Sequence, residues 1–132
     1  MTKLYNLLIA SAIFASCNSS TTKTAEKGTD TLRFAKGKAL FAQNDCGGCH
    51  AEKDAIIGPS FSNIAAEYEA SPANIAHLAH VVIVGVKPNE GVWGSREMTP
   101  HLKLNPSDAE EIVKYMLSFP PDPNKPFLHN TK

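Results

Sequence analysis

At 132 residues the chain has room for one small domain, and 42% hydrophobic with 20% charged residues is an ordinary globular make-up. Thirteen basic residues balance thirteen acidic ones. That balance indicates neither a nucleic-acid-binding surface nor a highly charged disordered chain.

Residues 1–16 read as an export leader. Lys3 precedes the apolar run Leu4–Phe14, which is too short for a stable transmembrane helix. The run closes in Ala15-Ser16-Cys17, and small residues ahead of a cysteine resemble a bacterial lipoprotein processing site. Cleavage before Cys17 and lipidation of its sulfur are therefore expected, with anchoring to the membrane by acyl chains. The alternative is an ordinary secretory signal cut nearby, with Cys17 a bystander. Asn18 lacks the Asp retention cue, and the anchor is compatible with the inner or the outer membrane, facing the periplasm. Residues 17–29 hold the lipidated Cys and a Ser/Thr/Lys-rich stretch without apolar periodicity, a flexible tether. Such a tether spans about 20 Å root-mean-square and about 40 Å when stretched.

The folded domain is expected over residues 30–119. Its first helix is predicted from Asp30 to Asn44, capped by Asp30, with Phe34, Gly37, Leu40 and Phe41 on one face. Gly37 inside a helix costs about 1 kcal/mol relative to Ala, which points to close approach of a second helix.

Next comes Cys46-Gly47-Gly48-Cys49-His50, a C-x-x-C-H string. It is the attachment signature of a c-type haem, in which both thiols bond the porphyrin and the histidine meets one face of the iron. A zinc site needs four ligands, and the only partners in sight, His77 and His80, are spaced too closely for the usual pattern. A dithiol redox pair expects a βαβ surround, and none is visible.

Two further helices are predicted at Ser60–Glu69 and Pro72–Val84, the second capped by Ser71. The β-branched run Val81–Val84 continues the apolar pattern of Ile75 and Leu78, so it is read as helix. A glycine-containing loop, Gly91–Pro100, carries Trp93 and Met98. A second axial ligand opposite His50 has five candidates: Met98, Met116, His77, His80 and His101. Met98 sits in a loop able to present a thioether to an iron, whereas Met116 lies in register with an apolar helix face. The closing helix is predicted at Asn105–Phe119, with Asn105 as N-cap, Pro106 at the first position and Asp108 completing a capping box. Ala109, Ile112, Val113, Tyr115, Met116 and Phe119 form its apolar face. Residues 120–132 form a proline-rich, extended tail. No strand pattern remains, so the fold class is all-α. So small a domain has a limited core, and the haem-free chain is expected to be unfolded or molten.

From about Lys36 to Phe119 the chain resembles the short bacterial class I cytochromes c. The resemblance runs through Leu40-Phe41, Cys46-x-x-Cys49-His50, Ile57-Gly58-Pro59, Tyr68, Gly91-Val92-Trp93-Gly94, Met98, Ile112 and Tyr115. It implies four to five helices wrapped around one covalent haem c. It implies His50 and Met98 as the iron's axial ligands. Pro59 would offer its carbonyl to the His50 ring, and Trp93 would lie beside the haem with its indole N–H on a propionate. Gly37 and Phe41 would meet Ile112 and Tyr115 where the first and last helices cross. Thr99 stands where this subgroup often has proline, which predicts a less rigid ligand loop.

The function so implied is one-electron transfer between respiratory redox partners, such as a quinol-oxidising complex and a terminal oxidase or reductase, by a monomer that transforms no substrate. A peroxidase or gas sensor would need an open iron position. A fixed subunit of a larger complex fits the long tether less well.

Overall fold

The structure, a computed structural model, describes residues 32–124. The predicted leader, Cys17, the tether, Asp30 and the last part of the tail lie outside the described residues. Among the described residues four α-helices are set out in order: α1 (Ala35–Gln43), α2 (Phe61–Glu67), α3 (Pro72–Val84) and α4 (Pro106–Met116). A short 3-10 turn, Cys46–Gly48, follows α1. Among the described residues there is no sheet, only three isolated bridges, so the all-α expectation holds.

The helix ends follow local chemistry. Ser71 accepts a hydrogen bond from the Asn74 amide at 3.2 Å, and Pro72 occupies the first turn of α3. Ser60 does the same for Asn63 at 3.1 Å, starting α2. The α2 helix stops at Glu67 rather than Glu69, because the backbone turns extended at Tyr68. The α3 helix runs through Val84 as read, ending where Gly85 takes φ 75°.

Two predicted helices differ in detail. In the first, Leu32 and Arg33 are helical, a turn at Phe34 interrupts the helix, and α1 proper starts at Ala35 with Phe34 at the N-cap position making no side-chain cap. The last helix closes at Met116, after which Ser118 and Phe119 bond to Tyr115 and Met116 in a tightened turn. Asn105 caps it through Ser107 at 2.9 Å. The Asp108 carboxylate turns instead to Lys36 of α1, 2.9 Å away.

The α4 helix packs against both α1 and α3. Gly37 makes the α1–α4 crossing possible: a Cβ there would overlap the Glu111 carbonyl and stand 2.8 Å from the Tyr115 Cβ. Beside the crossing, four rings pack edge to face. Phe61 lies 5.1 Å from Phe41, 5.8 Å from Tyr115 and 4.9 Å from Phe119. Ala109, Ile112 and Val113 of α4 complete the buried centre. The tail does not leave the domain at once, because the Asp122 amide donates to the Ser62 carbonyl at 2.9 Å.

Candidate haem site

Asp45 adopts a left-handed conformation, φ 56°, and turns the chain out of α1 into the Cys46–Gly48 turn. The amides of Cys49 and His50 both return to the Cys46 carbonyl, at 3.2 and 3.0 Å. Cys46 is half-buried and Cys49 exposed, and the two are not joined to each other. Burial pushes the Cys46 thiol above its ordinary pKa, the reverse of what a reactive dithiol requires. Among the described residues no cluster of three or more His, Cys, Asp or Glu side chains could hold a bare metal ion.

His50 is buried, and its Nδ1 lies 2.7 Å from the Pro59 carbonyl oxygen. A carbonyl only accepts, so Nδ1 carries the proton and donates, leaving Nε2 with the free lone pair. Burial is the main force holding the His50 pKa below 6.5; the Pro59 bond opposes it, and the charge of His101 adds to it. A neutral imidazole with one nitrogen tied back is the form that ligates a metal.

Two glycines, Gly58 and Gly85, shape this site. Gly58 is buried, and a Cβ on it would lie 2.5 Å from His50 Cε1 and 2.9 Å from Nδ1. Gly85, at φ 75°, backs onto the Met98 loop: a Cβ there would overlap the Met98 carbonyl and lie 2.9 Å from the Pro100 nitrogen. The first is a steric requirement that no spacing rule reveals. The second was legible as a glycine ending a helix.

Main-chain hydrogen bonds pin the Met98 loop at two points. Met98 and Val86 exchange both main-chain hydrogen bonds at 2.9 Å, and the His101 amide donates to Val82 at 3.2 Å. Trp93 is half-buried against the core in the turn closed by Asn89 and Gly94.

All these elements border one cavity of about 1130 Å³. Cys46, Cys49, His50, Pro59, Trp93 and Met98 all line it, with Ile64, Leu78, Val82, Ile112 and Val113 among its apolar walls. Of the other ligand candidates, His77, His101 and Met116 line it and His80 does not. Protein interiors close on themselves to crystal-like density. An apolar space this large, above the usual range for small-molecule sites, fits a bulky planar group.

The cytochrome c family model matches residues 34–120. The chain belongs to the cytochrome c family. Cytochrome c-551 of Pseudomonas denitrificans is 29% identical over 82 residues, covering 62% of this chain and 95% of that relative. Cytochrome c-551 of Pseudomonas aeruginosa is 30% identical over 81 residues, covering 61% and 74%. The crystal structure of Nitrosomonas europaea cytochrome c552 superposes with a TM-score of 0.55 at 28% identity, covering 61% of this chain and 96% of that one. This cytochrome is thus of the small monohaem class I type. It holds one haem c through Cys46 and Cys49 and serves as an electron carrier.

Proposed function

We propose that this cytochrome is a lipid-anchored, periplasmic one-electron shuttle whose iron is held between His50 and Met98. The observation that carries the ligand reading is the shared cavity. His50 enters it with Nδ1 committed to Pro59, and Met98 enters it from a loop pinned to Val86. When bound, the haem supplies the change between Fe(III) and Fe(II). The chain's part is to hold an imidazole in one tautomer, to supply a thioether that favours the reduced state, and to exclude water with apolar walls. The two main-chain bonds at Met98 argue for a filled sixth position and against an enzyme or gas sensor, which needs an open one.

Residues 30–119 act as the carrier domain, a monomer that meets its partners in brief, small contacts. A quinol-oxidising complex on one side and a terminal oxidase or reductase on the other suit a tethered carrier. Trp93, which lines the cavity, would lie beside the haem and donate its indole N–H to a propionate. Cys17 carries the lipid, and residues 1–16 are removed.

Two experiments test this reading. A redox titration of the holoprotein should show a single one-electron wave, and Met98→His should move it to lower potential. An unmoved midpoint would remove Met98 from the iron. Fractionation of expressing cells should find the cytochrome with membranes, and Cys17→Ser should release it. A Cys17→Ser protein that stays with the membranes would contradict the anchor.

A further inference from the structure

Met98 is not the only metal-binding side chain held over the cavity by the end of α3. His101 follows three residues later. Its amide is fastened to the Val82 carbonyl at 3.2 Å, and its own carbonyl accepts from Leu104 at 2.9 Å. It is half-buried and lines the same cavity as His50 and Met98. Its charge is felt at His50, which places the two imidazoles within electrostatic reach of one another. His77 also lines the cavity, but on α3 its ring lies 6.0 Å from the Tyr68 ring, tilted at 42°. His80, one turn on, is exposed and outside the lining.

We propose that His101 is a latent axial ligand, which takes the sixth iron position whenever the Met98 thioether leaves it. The inference rests on the reading of Met98 as the resident ligand. Both residues hang from the same short segment, clamped at Val86 on one side and at Val82 on the other. Exchange therefore needs movement of residues 98–101 and no unfolding of α3. Imidazole is a stronger donor to Fe(III) than a thioether, so the exchanged form is low-spin and of lower potential. The cytochrome then has two closed states of different potential instead of one closed state and one open to small ligands.

The test uses the full-length holoprotein and reads the iron directly by visible and electron paramagnetic resonance spectra. The wild type is measured first for the thioether-to-iron charge-transfer band. Met98→Ala should lose that band, stay low-spin with two imidazole ligands, and fail to bind added carbon monoxide when reduced. Met98→Val, which leaves less empty volume, is read in the same way and guards against misfolding. Adding His101→Ala to either variant should convert it to a high-spin form that binds carbon monoxide. Adding His77→Ala should leave it low-spin. A high-spin Met98→Ala protein with the wild-type band intact in the parent overturns the latent ligand while leaving Met98 in place. A double variant lacking His101 that remains low-spin overturns it as well, in favour of another ligand. A wild type without the band, with a spectrum unchanged by Met98→Ala, overturns the Met98 reading and this inference with it.

Discussion

Gly58→Ala isolates the geometry that presents His50. The new Cβ would begin 2.5 Å from His50 Cε1, 2.9 Å from Nδ1 and 3.0 Å from Nε2. Carbon atoms rest near 3.5–4.0 Å, so the ring or the main chain has to yield by about 1 Å. Both are confined. The ring is buried and bonded to Pro59 at 2.7 Å, and the Gly58 amide itself donates to Cys49 at 2.9 Å. Overpacking of this kind costs about 1–3 kcal/mol. A ring displaced by 1 Å also gives up most of its Pro59 bond, worth about 1 kcal/mol more. The expected loss is therefore about 2–4 kcal/mol, a fall of about 10 °C or more in the melting temperature of so small a domain. Gly48→Ala is the control, because its Cβ meets no protein atom within 4 Å. Denaturant titration of both holoproteins, with the resonances of the haem-bound imidazole followed by NMR, gives the comparison. A Gly58→Ala protein within about 0.5 kcal/mol of wild type, its imidazole signals unshifted, would refute the argument.

Three further outcomes follow from the packing. Gly37→Ala gains about 1 kcal/mol of helix propensity, but its Cβ overlaps the Glu111 carbonyl, so denaturant titration should show a net loss of about 2 kcal/mol or more. Ser60→Ala removes a fully buried cap hydroxyl from the start of α2 and should cost about 1–2 kcal/mol by the same measurement. The double variant Cys46→Ala, Cys49→Ala, made without haem, should lose its near-ultraviolet circular dichroism, because a cleft of about 1130 Å³ walled by core residues then stands unfilled. A native-like near-ultraviolet spectrum would show that the helices close without the cofactor.

The cofactor was legible because covalent haem attachment needs a contiguous string, Cys46 to His50. The α3 helix was legible because its start and stop are written locally, in Ser71-Pro72 and in Gly85. The crossing of α1 and α4 was foreshadowed by Gly37, whose cost inside a helix calls for a reason. Other features depend on residues far apart in the chain. Phe61 joins Phe41, Tyr115 and Phe119 into one ring cluster, and no periodicity in α2 announces it. The Met98 loop is tied to Val86, twelve residues earlier, by a pair of main-chain hydrogen bonds that no local pattern around Met98 shows. Asp108 has the spacing of a capping box, yet Lys36 on a facing helix draws its carboxylate away. In each case a tertiary partner decides what the local pattern leaves open.

The proposed closing of the iron between His50 and Met98 is open to one direct test. The direct measurement is the visible spectrum of the purified holoprotein, oxidised and reduced, with and without carbon monoxide. A low-spin c-type spectrum that carbon monoxide leaves unchanged is the predicted result. A reduced spectrum that shifts on adding carbon monoxide would mean an open or yielding sixth position, and would contradict the carrier with both axial sites filled.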